Sequence, residues 1–221
     1  MADPDGDSDD VPPPSVPEER LTEWECTEAT VERLYGVEGA DVRGHTVVYE
    51  DRRVREAVRE ATDGAVDQSW RFFFATRLRF RPPLGPGVGP MMVLPMVRTE
   101  ATNSFQADLT ERGVEHVERG RRERTRSADG DRLHLRQVTG AVPVPGGDVP
   151  VEGWVCVTYT DDLYVTGGAY PRTSLARALG IEVAESEQRG EDGGETGLDA
   201  HLVRDPATDR EALFDLVRAV G

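Results

Sequence analysis

The chain has 221 residues, and all 26 of its basic residues are arginine, set against 42 Asp and Glu for a net charge of -16. Without lysine it cannot build the P-loop phosphate cradle, the protein-kinase phosphate grip or a Ser-x-x-Lys acyl enzyme, nor the Schiff bases of pyridoxal phosphate enzymes. Two cysteines, Cys26 and Cys156, are too few for a disulfide framework or a zinc site.

Arginine in place of lysine, with so acidic a balance, is the composition expected of a cytoplasmic protein in a salt-accumulating cell. At ~1 M salt the Debye length is only ~3 Å. The acids there keep a hydrated, self-repelling surface soluble rather than steering partners from afar. The N-terminus has no basic region followed by an apolar run, so no secretion signal is read. No stretch reaches the ~20 apolar residues of a membrane span. The expectation is a soluble intracellular chain that engages no membrane.

Residues 1–18 are mostly Asp, Pro and Ser and are expected to form a disordered acidic tail. Residues 19–182 are read as one α+β domain, residues 183–204 as an acidic flexible loop, and residues 205–221 as a C-terminal helix packing on the domain. Strands are predicted over 21–34 and 45–49, the second carrying Val47 and Val48. Asp51 can cap a helix over 52–62, where Val54, Ala57, Val58 and Ala61 share one face and Gly64 follows. From Trp70 to Arg81 apolar residues alternate with Arg71, Arg77, Arg79 and Arg81, a period of two. A Pro/Gly loop over 81–90 leads to a helix over 97–112, with Val97, Ala101, Phe105 and Leu109 on one stripe and Gly113 at its end. A hairpin turning at Asp129-Gly130 comes next, with Leu133 and Leu135 facing away from Arg132, His134 and Arg136. Another turns at Asp161-Asp162 between strands over 153–160 and 163–170. A short helix over 174–179 stops at Gly180, and Asp205-Pro206 opens the last helix. The order, β-β-α-β-α-β-β-β-β-α and then α, predicts an antiparallel sheet with helices on its apolar face, an α+β two-layer sandwich.

Charge is unevenly distributed. Residues 71–136 hold 13 arginines against 8 acidic residues, a net charge of +5 within a chain of -16. Were the strands neighbours, Arg71, Arg77, Arg79 and Arg81 would share a face with Arg122, Arg124, Arg126, Arg132, His134 and Arg136. Arginine's planar fork matches carboxylate and phosphate, so this face is the candidate anion- or partner-binding surface. Pairing with nearby acids such as Glu100, Asp108 and Glu111 is the structural alternative. Met91, Met92 and Met96 form a candidate apolar contact surface, since methionine adapts to varied partners; core packing is the alternative. Nucleic acid is disfavoured, because phosphate contacts weaken steeply with salt.

Other motifs carry less. Gly85-Pro86-Gly87-Val88-Gly89 has prolines where a phosphate loop needs donors. His45, His116, His134 and His201 lack metal-ligand spacing, and no Gly-x-Ser-x-Gly is present. Cys26 and Cys156 each follow a tryptophan by two residues and are read as a core-lining pair, with a bridge or a reactive thiol as the alternative. No metal and no cofactor is expected.

Trp70-Arg71-Phe72-Phe73-Phe74-Ala75-Thr76-Arg77, Glu152-Gly153-Trp154 and Gly167-Gly168-Ala169-Tyr170-Pro171 resemble segments of the uncharacterised small proteins of halophilic archaea, a class of unknown function. The element order is also similar to the PsbP/Mog1-type sandwich, whose members mostly bind partners. With no coherent set of nucleophile, base and oxyanion donors readable, the expectation is a non-catalytic binding or adaptor module, its partner a protein or a small anion. The alternative is an enzyme in which Arg77, Arg79 and Arg136 hold an anionic substrate and His134 acts as acid or base.

Overall fold

The computed structural model describes residues 11–37, 40–84, 87, 89–182 and 198–220. Strands β1 (Glu25–Val37), β2 (Ala40–Glu50), β3 (Phe72–Arg81), β4 (Glu115–Arg126), β5 (Arg132–Val144), β6 (Gly147–Tyr159) and β7 (Leu163–Pro171) form one sheet. Its order is β1-β2-β3-β7-β6-β5-β4, and every neighbouring pair is antiparallel. The helices among the described residues are α1 (Arg52–Ala61), α2 (Pro90–Glu111), α3 (Leu175–Leu179), α4 (Leu198–Leu202) and α5 (Pro206–Ala219). The chain is thus an α+β fold on an antiparallel sheet.

Local chemistry sets most of these boundaries. The Asp51 carboxylate accepts a hydrogen bond from the Val54 amide at the start of α1, and Asp205 accepts one from Ala207 at the start of α5. Gly180, at φ 65°, ends α3 in the left-handed conformation. Helix α2 begins at Pro90, earlier than its apolar stripe indicates. Proline suits the first helical turn, where its missing N–H costs nothing. Pro95 lies within α2 and cannot donate to the carbonyl of Met91. Met91, Met92 and Met96 therefore sit on the helix rather than beside it.

The helices do not all share one face. On one side α2 packs against a core that includes Phe72, Leu78, Val155 and Val165, joined by Val54, Val58 and Leu202 from α1 and α4. On the other, α5 brings Leu213, Phe214 and Val217 onto Phe73, Leu133, Leu135 and Trp154. Two glycines allow this double cover. A Cβ on Gly153 would lie 2.8 Å from the Phe105 ring of α2, and one on Gly168 would lie 2.1 Å from the Phe72 carbonyl and 2.8 Å from Leu213 of α5. Nearby, Trp154 Nε1 and the Tyr170 hydroxyl donate to the same buried Glu152 oxygen at 2.7 and 3.0 Å. The Trp154 ring meets Phe214 edge-on at 5.3 Å. The Glu-Gly-Trp and Gly-Gly-Ala-Tyr-Pro segments thus supply packing and a buried polar knot.

The ordered body starts earlier than the composition of residues 1–18 indicates. Val11 is fully buried, and its carbonyl accepts a hydrogen bond from His45 Nδ1 at 2.8 Å. Part of the expected acidic loop is also helical, as α4. Residues 1–10 and 183–197 of the expected tail and loop lie outside the described residues.

Candidate anion-binding groove

Between α2 and the β4-β5-β6 half of the sheet lies a cavity of about 410 Å³. Helix α2 contributes Pro95, Arg98, Thr99 and Thr102, spaced along one helical face. The strands contribute Arg119, Arg122, His134, Arg136 and the apolar Leu135, Val155 and Val157. Among the described residues no carboxylate lines it. Among the described residues, none of Arg98, Arg119, Arg122 and Arg136 lies within ion-pair distance of an acid.

The strand register concentrates this charge. Arg122 stands directly opposite Arg136, Arg124 opposite His134, and Arg126 opposite Arg132. Like charges directly opposite on a sheet are destabilising, so an anion between Arg122 and Arg136 would remove a built-in repulsion. A register shift between Arg119 and Arg122 leaves the Gly120 carbonyl to accept from Arg136 at 3.1 Å. Arg119 is held by amide oxygens instead of acids, donating to Gln106 at 2.7 Å and to Asn103. The buried Nε of Arg98 has no acceptor among the described residues. His134 is shifted below its ordinary 6.5, first by burial and then by Arg98, Arg124, Arg132 and Arg122. Burial, then Arg122 and Arg119, also lower Arg136. The Thr99 and Thr102 hydroxyls donate to the helix carbonyls of Pro95 and Arg98 at 3.0 and 2.7 Å.

The arginines of β3 do not join this group. Arg77 pairs across the ladder with Tyr164, while Phe72, Phe74 and Leu78 face α2, so Arg71, Arg77, Arg79 and Arg81 lie on the α5 side. The single arginine face expected from the alternation is therefore two groups on opposite sides of the sheet. So is the alternative enzyme site, since His134 and Arg136 are separated from Arg77 and Arg79. Two covered faces are the reason: Leu133 and Leu135 feed the α5-side core, which turns Arg132, His134 and Arg136 toward α2.

Arg71 is bound into a buried ion network. It meets Asp51, and its Nε lies 3.0 Å from Asp209 Oδ1, while Arg204 Nε reaches the same oxygen at 2.9 Å. Burial pushes the Asp209 carboxyl up to about 6 despite both arginines. Trp24 stacks 5.0 Å from the Arg71 guanidinium. Arg77 pairs with Asp162 at 2.5 Å. Residues 85, 86 and 88 of the expected Pro/Gly loop lie outside the described residues.

The methionines divide. Met96 is half-buried against the core, whereas Met91 and Met92 are 64% and 68% exposed. The cysteines are not a core pair: Cys156 is buried, its thiol pushed up to about 12, but Cys26 is exposed on β1, four positions away in the sheet. Among the described residues no cluster of His, Cys, Asp and Glu has the makings of a metal site. No helix there is long and apolar enough to cross a membrane.

A second groove, of about 260 Å³, lies on the opposite flank of α2 against β1, β2 and β3. Glu28, Glu32 and Asp108 line it together with Arg112, which is drawn to Asp108 at 3.1 Å. Helix α2 thus separates an acidic flank from a basic one. Sequence reasoning missed Arg98, Thr99, Thr102 and Arg119. The available signal was Arg98, one residue beyond Val97 on the predicted stripe and therefore on its border.

No curated protein and no solved structure matches this chain. A family described as a domain of unknown function, DUF6517, matches residues 13–221, which is nearly the whole length. The groove, the two-sided core and the buried ion network all fall within that span, and the chain belongs to this family.

Proposed function

We propose that this protein is a non-catalytic binding module whose ligand is an anion held in the groove between α2 and β4-β6. One observation carries the reading: Arg98, Arg119, Arg122, His134 and Arg136 converge on one cavity that no carboxylate of the described residues lines, in a chain of net charge -16. Acids are abundant in this sequence, yet none of the described ones lines this cavity. Arginine forks suit phosphate, sulfate and carboxylate. Among the described residues the lining offers no nucleophile and base within reach of each other, since both threonine hydroxyls donate to helix carbonyls. That favours binding over turnover. The lysine-free acidic composition supports a salt-rich cytoplasm as its setting.

The test is a thermal-shift and calorimetric panel of nucleotides, polyphosphate, dicarboxylates and short RNA in high KCl. The expected result is a saturable shift with a small polyanion that Arg136→Glu abolishes. A flat panel, or a shift that survives Arg136→Glu, would remove the proposal. Product formation from a panel member would return the enzyme reading.

A further inference from the structure

The basic groove is not polar throughout, and its apolar part continues beyond it. Val155 and Val157 of β6 line its floor, and the next residue on that face of the strand, Tyr159, is exposed. On the helix side, Pro95 lines the groove, and Met91 and Met92 lie four and three residues before it, on the same helical face. These are the two most exposed large apolar side chains among the described residues.

The two stripes run out of the groove in the same direction. Phe105 of α2 sits over Gly153 of β6. Arg98 shares the cavity with His134, which follows in register the pairing of Leu135 with Cys156 and so stands opposite Val157. Going down α2 in number therefore means going up β6, and Met91 and Met92 extend toward the Tyr159 end. From Arg98 to Met91 is ~10 Å along the helix axis, a length that an octyl chain spans.

We infer that the ligand of this groove is a monomeric anionic amphiphile: a phosphate-type head among Arg98, Arg122, His134 and Arg136, and an aliphatic chain leaving along Pro95 toward Met91 and Met92. This rests on the anion-binding reading and adds the second half of the ligand. The cations sit between a helix and a sheet, in a concave site that suits a single molecule better than the flat surface of a bilayer. Methionine's flexible thioether suits an aliphatic chain of variable shape.

The experiment is isothermal titration with inorganic phosphate, octyl phosphate below its micelle-forming concentration, and octanol, beside sedimentation with vesicles of anionic lipid. Wild type, a Met91→Ser/Met92→Ser double variant and Arg136→Glu are compared. Both methionines are exposed, so their replacement leaves the core intact. Octyl phosphate is expected to bind at least ~10-fold more tightly than inorganic phosphate, because burying a few methylenes suffices for that gain. The methionine variant should lose the gain while its affinity for inorganic phosphate stays unchanged. Arg136→Glu should lose both ligands, and octanol should not bind. Equal affinity for the two phosphates in wild type would overturn the amphiphile and leave the anion site standing. Binding of neither would remove both. Capture only by vesicles of anionic lipid, without binding of the monomer, would overturn the monomeric ligand.

Discussion

At the scale of single residues, an anion in the groove would couple His134 to pH. Partial burial, and then the surrounding arginines, hold it below 6.5, so the free protein resists protonating it. A bound anion opposes those arginines and raises it again. Between the depressed free value and the raised bound value, binding takes up a proton. Affinity for sulfate, whose own charge is constant over this range, is therefore expected to be highest at the acid end and to fall as pH rises through the bound value. His134→Gln should flatten that profile, as calorimetry from pH 5.5 to 8 would read. The linkage to folding has the opposite direction: a histidine depressed in the folded state contributes stability above its unfolded value and loses it as pH falls through its folded value. Arg79→Glu tests which side of the sheet matters. It lies on the α5 side, so it should leave anion affinity within about twofold, whereas Arg136→Glu should abolish binding. Arg71→Ala is a stability variant. It leaves buried Asp51 without its ion-pair partner and Asp209 with Arg204 alone, and a loss of about 3–5 kcal/mol is expected in chemical denaturation.

At the scale of elements, α2 makes the site and glycine lets α2 come close. Gly153→Ala would drive a methyl into the Phe105 ring, which bears on how α2 lies over the groove. Overpacking of this kind costs about 1–3 kcal/mol, so both a lower Tm and weaker anion binding are expected. Gly168→Ala meets a backbone carbonyl, which cannot step aside, and should lower Tm further with less effect on the groove. Much of this layer was legible in the sequence. The period of two from Trp70 to Arg81, the Asp51 and Asp205 caps and the Asp-Gly turn all carry local signals, and local signals survive into the fold. What was not legible is which face each arginine takes. Strands β7 and β6 lie between β3 and β5, so the phase of one relative to the other depends on pairings that come later in the chain. A single-faced sheet would have aligned the β3 and β5 arginines. The α5 side, with its own core around Trp154, inverts them. Arg98 was hidden for a related reason: a helix border residue becomes a site residue only when the strands beneath it are known.

At the scale of the whole molecule, a basic groove persists within a net charge of -16. The acids outside it repel one another, and salt screens that repulsion. Tm is expected to rise as KCl goes from ~0.1 M toward molar values, where the Debye length contracts from ~10 to ~3 Å. A falling Tm would contradict the salt-rich setting without touching the groove. The groove occupies one side of one half of the sheet, so the deciding measurement is residue-resolved. Amide resonances of the labelled protein would be followed by NMR during a phosphate titration, with all spectra at one pH. Saturable shifts confined to α2 around Arg98–Thr102 and to β4 and β5 around Arg119–Arg122 and His134–Arg136 are the predicted result. Saturable shifts centred instead on Arg77–Arg81 of β3, or no saturable shift at all, would contradict it.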